Sequence, residues 1–258
     1  MWNDCDIRIG GSITVKGEWN TKTIKEKFLD MLYPRTCPVC QSVISQKESY
    51  ICEKCQEKLQ WIKNPRCKKC GKPLEDTKKE YCKDCSRRKH FYEEGRAVWV
   101  YNKELRESIY RFKYQNKREY ADYYVSCMLH TYGSWLRHLE LDGIIPIPLH
   151  AKKKRVRGFN QAQVLAEKLA EDLQLPLYTD LVVRQKNTRP QKELNDKERQ
   201  ENLKNAFKIV RNDVQLKRIL LVDDIYTTGA TIDACARLLK TYGVGKVYFI
   251  CLGTSGVN

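Results

Sequence analysis

Long apolar runs are missing from this 258-residue chain: no window of 18 or more apolar residues exists, so no membrane-spanning helix is expected. The first residues, Met1, Trp2, Asn3 and Asp4, lack the basic-then-apolar order of a secretory signal. The sequence therefore predicts a cytoplasmic protein that reaches the inner face of a membrane only through partners. No helix-turn-helix pattern precedes the region of alternating strands and helices, which ranks a transcriptional regulator last among the function classes. With 31% charged and 41% hydrophobic residues the composition is not that of a disordered chain, and the length suffices for one or two ordinary cores.

Charge of one sign is abundant. Lys and Arg number 48 against 32 Asp and Glu, a formal +16. Most of the excess lies in two stretches, residues 35–90 with 15 basic and 7 acidic side chains and residues 146–162 with 5 and none. Such a field favours polyanions without specifying a fold.

The twelve cysteines are the next signal. With no secretory signal a disulfide framework is not expected, because cytosolic thiols stay reduced. Eight form four C-x-x-C pairs, Cys37/Cys40, Cys52/Cys55, Cys67/Cys70 and Cys82/Cys85, with eleven residues between each pair and the next. Two such turns make a closed four-thiolate site of the kind structural Zn²⁺ occupies, so four pairs predict two sites. Equal spacing leaves the pairing open. An internal repeat, Cys67-Lys-Lys-Cys-Gly-Lys-Pro-Leu echoing Cys37-Pro-Val-Cys-Gln-Ser-Val-Ile, favours consecutive over interlocked pairing. Cys5, Cys127, Cys235 and Cys251 have no ligand spacing and read as ordinary residues. Each filled site would carry a net −2, lowering the 35–90 stretch from +8 to +4 and the chain from +16 to +12.

Beyond residue 90 the pattern alternates. Strand-like segments at 95–101, 144–148, 218–222 and 246–252 are interleaved with helical spacing at 104–114, 119–138, 160–173 and 231–241, which predicts an α/β fold with a parallel sheet. Three parts are expected: an N-terminal extension and helix at 1–34, a double zinc ribbon at 35–90 and an α/β domain at 91–258. The polar stretch Gln185 to Leu203 reads as a long functional loop.

The most informative segment is Ile219-Leu-Leu-Val-Asp-Asp-Ile-Tyr-Thr-Thr-Gly-Ala-Thr231. An apolar strand runs into Asp223 and Asp224 and then into a Thr- and Gly-rich turn opening a helix. Ligands bind at strand ends in open α/β sheets, and such a turn aims backbone N–H groups at a phosphate. This segment resembles the phosphoribosyl pyrophosphate (PRPP) motif of type I phosphoribosyltransferases. Together with Asp30-Met-Leu-Tyr-Pro-Arg-Thr-Cys-Pro-Val-Cys40, Pro146-Ile-Pro-Leu149, Arg155-Val-Arg-Gly-Phe-Asn-Gln161, Arg189-Pro-Gln191, Leu194, Arg199, Asn202 and Phe207, it is similar to the ComF family, over approximately residues 28–254. That family includes late competence proteins of naturally transformable bacteria and GntX-type proteins.

The resemblance implies a phosphoribosyltransferase-like parallel sheet behind a double zinc ribbon, handling incoming single-stranded DNA, with other competence proteins as further partners. It implies that Thr227, Thr228, Gly229, Ala230 and Thr231 cradle the 5′-phosphate of PRPP, while Asp223 and Asp224 take the ribose hydroxyls and Mg²⁺. Leu149, His150 and Lys152 would face the pyrophosphate, with Arg155 and Arg157 beside it, and 185–203 would close over the ligand. The alternative is an active phosphoribosyltransferase displacing pyrophosphate with an unidentified acceptor. No base-recognition hood is legible, which leaves the catalytic residues unassigned. For DNA, the basic ribbons and the aromatic-basic run Tyr110-Arg-Phe-Lys-Tyr114, with Lys117, Arg118 and Tyr120, are the candidate surfaces, although aromatics at helical spacing are more often core.

Overall fold

The computed structural model describes residues 34–44, 50–185, 206–211 and 215–256. The extension at 1–33 and most of the expected closing loop, 186–203, lie outside the described residues. By internal contacts the chain divides into two units, Met1–Lys58 and Leu59–Asn258.

The first unit holds one four-cysteine ribbon. Cys37 N–H donates to Ser42 O at 2.9 Å and Gln41 N–H to Cys37 O at 2.9 Å, closing a knuckle with Gln41 at φ 65°. The second pair of thiols lies at helix α1, Glu53–Gln56, with Cys52 as its N-cap.

The second unit repeats this design thirty residues on. Cys67 N–H donates to Lys72 O at 2.8 Å, Gly71 N–H to Cys67 O at 3.0 Å, and Gly71 has φ 75°. Helix α2, Lys83–Arg87, has Cys82 as its N-cap. Gly71 is required here for space as well as for conformation. A Cβ at this position would meet Gly95 O at 2.7 Å, because the knuckle lies against the start of the sheet.

Four parallel strands make that sheet in the order β1-β6-β5-β2: β1 Glu94–Val100, β2 Gly143–Pro146, β5 Arg218–Tyr226 and β6 Lys246–Thr254. A separate antiparallel pair, β3 Val182–Arg184 with β4 Phe207–Ile209, packs nearby. The main strands read as continuous apolar runs because both faces are covered. On one face, α7 (Ala230–Thr241), the β3–β4 pair and the second cysteine knuckle bury Ile219, Leu221, Val247, Phe249 and Cys251. On the other lie α4 (Tyr120–His138) and α6 (Gln161–Leu173), which pack on each other and on the sheet.

Helix α3, Lys103–Tyr114, is started by Asn102, whose side chain accepts from Leu105 N–H. A helix not expected from the sequence, α5 (Ala151–Arg157), occupies the turn after β2. His150 caps it by accepting from Lys152 N–H, and Gly158 ends it at φ 79°. Cys127, Cys235 and Cys251 are fully buried in the core, while Cys5 lies outside the described residues.

Candidate functional site

Strand alternation fixes the geometry of the two carboxylates. Neighbouring residues of a strand point to opposite faces, so the side chains of Asp223 and Asp224 diverge at the carboxyl end of β5. Asp224 meets Lys113 of α3, with Oδ2 2.5 Å from Nζ. Asp223 accepts the backbone N–H of Asp224 at 2.8 Å. Withdrawal from water and the neighbouring Asp224 charge push the Asp223 carboxyl up to about 7, against the opposing pull of Lys113 and Arg184.

Register then brings two loops together. Pro146 pairs with Val222, and Ile147 N–H donates to Val222 O at 2.9 Å, so the segments leaving β2 and β5 start side by side. The first leads to α5 and α6 on one face and the second to α7 on the other, which opens a crevice between adjacent strand ends. Leu149 and His150 lie at the start of α5, and Lys152 and Arg155 are exposed on it. Arg157, at its end, donates from Nη1 to Gln161 Oε1 at 2.8 Å and from Nη2 to the Tyr114 hydroxyl at 3.0 Å.

Three cations gathered here carried little or no individual signal in the sequence. Lys113 was legible only as part of an aromatic-basic run, Lys153 only as one of three consecutive lysines, and Arg184 not at all. Burial, followed by the charges of Arg184, Arg157 and Lys113, lowers the Lys153 ammonium from its ordinary value. Burial likewise lowers Arg184, opposed by Asp223. A cluster of cations whose own charges disfavour one another is electrostatically prepared for an anion.

The turn after β5 is shaped by what lies beneath it. Gly229, at φ 76°, is the N-cap of α7, and Asp233 N–H donates to its carbonyl at 2.8 Å. Directly below is Tyr226, whose hydroxyl would be 2.4 Å from a Cβ on Gly229. The Tyr226 ring stacks on Phe249 at 4.8 Å, and its hydroxyl lies 2.7 Å from that of Tyr92. Thr227 is exposed, Ala230 and Thr231 open α7, and Thr228 Oγ1 is buried with no hydrogen-bond partner among the described residues. Burying an unmatched hydroxyl is costly, so this orphaned oxygen in a turn at a helix N-terminus fits a phosphate oxygen as its partner.

The cysteines fall into two groups, Cys37/Cys40/Cys52/Cys55 and Cys67/Cys70/Cys82/Cys85, each with its sulfurs within 4.8 Å of one another. This is the consecutive pairing that the repeat favoured. The Cys40–Cys52 and Cys70–Cys82 sulfurs are 3.6 Å apart, close to the roughly 3.8 Å edge of a tetrahedron with 2.3 Å Zn–S bonds. Both donor sets fit structural Zn²⁺. The second ribbon also reaches the residue beneath this turn. Lys72, 6% exposed, is paired with Asp84 at 2.9 Å, and its Nζ lies 5.8 Å from the centre of the Tyr226 ring.

Family comparisons agree with this architecture. Residues 28–86 match the double zinc ribbon domain, and residues 157–256 match the phosphoribosyl transferase domain. The protein is thus a zinc-ribbon protein with a phosphoribosyl transferase domain at its carboxyl end.

Among curated proteins it is 36% identical to competence protein F of Haemophilus influenzae over 54% of this chain and 63% of that protein. It is 33% identical to competence protein ComFC of Bacillus subtilis over 58% of this chain and 59% of that protein. It is 36% identical to DNA utilization protein YhgH of Escherichia coli over 43% and 48%. The chain is thus similar to these competence and DNA utilization proteins, and its matches span about three fifths or less of their length. Among the described residues no helix is long and apolar enough to cross a membrane.

Proposed function

We propose that this protein handles incoming single-stranded DNA in the cytosol during natural transformation, and that its α/β domain binds PRPP in the crevice between β2 and β5. The observation that carries the ligand reading is the turn at Thr227–Gly229. It leaves Thr228 Oγ1 buried without a partner at the opening of α7, one strand away from the Lys113, Lys153, Arg157 and Arg184 cluster. The turn and Thr231 would hold the 5′-phosphate, Asp223 and Asp224 would accept the ribose hydroxyls, and the segment from Leu149 through α5 would face the pyrophosphate. A bound Mg²⁺ would neutralise part of the pyrophosphate charge, with Asp224, which faces Lys113 and Lys153, as its candidate protein oxygen donor.

Lys113 is paired with Asp224, so ribose binding would exchange that ion pair for hydroxyl contacts and release Lys113 toward the pyrophosphate. The DNA part of the reading is supported by the names of the relatives, two competence proteins and a DNA utilization protein, and by the chain's +16 charge. Calorimetry with Mg-PRPP tests the ligand site. The intact protein should give a binding isotherm that the Asp223→Ala/Asp224→Ala variant loses, and equal heats from both would remove PRPP from this crevice.

A further inference from the structure

The aromatic-basic run at the end of α3 divides in the folded protein. Tyr120 is 1% exposed and belongs to the core. Tyr110 and Tyr114, one helical turn apart, are 57% and 49% exposed, with ring centroids 4.9 Å apart at 42°. Two large aromatic side chains standing together in solvent on one helix face gain nothing from the core. Their surroundings are cationic. Arg157 lies over the Tyr114 ring at 4.9 Å while bonded to its hydroxyl and to Gln161, which holds that ring in place. Arg118 lies over Phe159 at 4.6 Å, next to Gly158. Lys113, between the two tyrosines in sequence, reaches Asp224. On the same α3 face Glu107 is the acidic exception, and Glu119 is answered by Lys117 at 3.3 Å.

The ribbons are the less suitable DNA surface by comparison. Three of their lysines, Lys68, Lys72 and Lys79, are paired with Glu80, Asp84 and Asp76 of the same ribbon. The large exposed aromatics in or beside them, Tyr81 at 44% and Phe91 at 45%, are ten residues apart in the chain and form no ring pair with each other among the described residues.

We infer that Tyr110 and Tyr114 form a base-stacking platform for single-stranded DNA, and that Arg157 joins this platform to the phosphate-binding crevice. Bases of any sequence present a π-face, and a tilted tyrosine pair backed by guanidinium offers stacking without base readout. Arg157, which lies over Tyr114, and its electrostatic neighbours Lys153 and Lys113 would meet the phosphates of a strand stacked on the pair. The strand would then end at the ribose site at Asp224. This rests on the DNA part of the proposed function and adds the surface and its chemistry.

The test is fluorescence anisotropy with labelled oligo-dT and with an abasic chain of equal length, at one fixed salt concentration. For Tyr110→Ala/Tyr114→Ala the dT affinity is expected to fall about ten- to hundredfold while abasic binding holds. Tyr110→Phe/Tyr114→Phe keeps the rings and should stay near the wild-type dT affinity. It also reports on folding, as does the unfolding midpoint of each variant by circular dichroism. Arg157→Gln should reduce the salt slope of log K by about one, whereas the alanine pair should leave the slope unchanged.

If the wild type binds dT and the alanine pair binds it equally well, the platform is wrong and the DNA reading survives. If dT and abasic affinities fall together, the tyrosines act through the fold or the phosphates and the platform is again wrong. If the wild type binds no dT, the DNA reading falls and takes the platform with it. The Mg-PRPP calorimetry is decided separately in each case.

Discussion

Replacing Gly229 by alanine adds one methyl group at the point where the turn after β5 meets its support, and the structure supplies the size of the penalty. At φ 76° an alanine pays about 1–2 kcal/mol for the left-handed backbone. The new Cβ would lie 2.4 Å from the Tyr226 hydroxyl, 2.8 Å from Cζ and 2.9 Å from Cε2, all closer than van der Waals contact. Tyr226 has nowhere to go. It is 2% exposed, stacked on Phe249 at an interplanar angle of 8° and bonded to Tyr92 at 2.7 Å. Overpacking against an immobile ring costs a further 1–3 kcal/mol, giving about 2–5 kcal/mol in all.

That energy has two outlets. Either the whole fold is destabilised, or the turn lifts off Tyr226 and displaces the Thr227 and Thr228 groups. Urea unfolding reads the first and Mg-PRPP calorimetry the second, and a loss is expected in at least one of them. Tyr226→Phe in the same background should recover only part of the loss, because removing the oxygen still leaves Cζ at 2.8 Å. A Gly229→Ala protein with wild-type stability and wild-type ligand affinity would refute the packing argument.

Two further outcomes follow from the site and the ribbons. For Asp223 the folded value of about 7 lies above the unfolded 3.8, so its contribution to stability is full below pH 3.8 and is lost as pH rises through 7. Three pH units correspond to about 4 kcal/mol, most of which falls between pH 5 and 8. Urea titrations without added magnesium should show Asp223→Asn gaining on the wild type by that order between those pH values, and parallel pH profiles would contradict the burial argument. For the ribbons, elemental analysis should find two zinc atoms per chain. Cys67→Ser should lower the count to one and destabilise the Leu59–Asn258 unit by roughly 3 kcal/mol or more, since Cys67 lies in the same buried cluster as Tyr92, Ala97 and Phe249. A Cys67→Ser protein retaining both metals and its melting temperature would break this account.

Much of the molecule was legible because local rules suffice for it. The strands at 95–101 and 246–252 and the helices at 104–114, 119–138, 160–173 and 231–241 recur within about two residues, their periodicity being set by burial on both faces of the sheet. The strand expected at 218–222 continues to Tyr226, which carries both aspartates inside it. Helix α5 was not expected, because its Lys-Lys-Lys-Arg sequence has no apolar periodicity and depends on the His150 cap and the Gly158 stop.

The chemistry of the parts follows from local sequence. C-x-x-C spacing specifies thiolate pairs, the thirty-residue repeat specifies how they combine, and an apolar strand ending in Asp-Asp and a Thr-Gly turn marks a candidate phosphate site. Each of these depends on residues close together in the chain. Which distant residues gather around that segment depends on the packing of the whole domain. Parallel register sets the β2 and β5 ends side by side, strand alternation sends Asp224 to Lys113 and Asp223 to the opposite face, and packing of the Cys67–Lys72 knuckle on β1 brings Lys72 to Tyr226 beneath Gly229. Packing also divided an aromatic run into a buried Tyr120 and an exposed Tyr110–Tyr114 pair. Composition cannot make that distinction, because burial depends on which helix face meets the sheet.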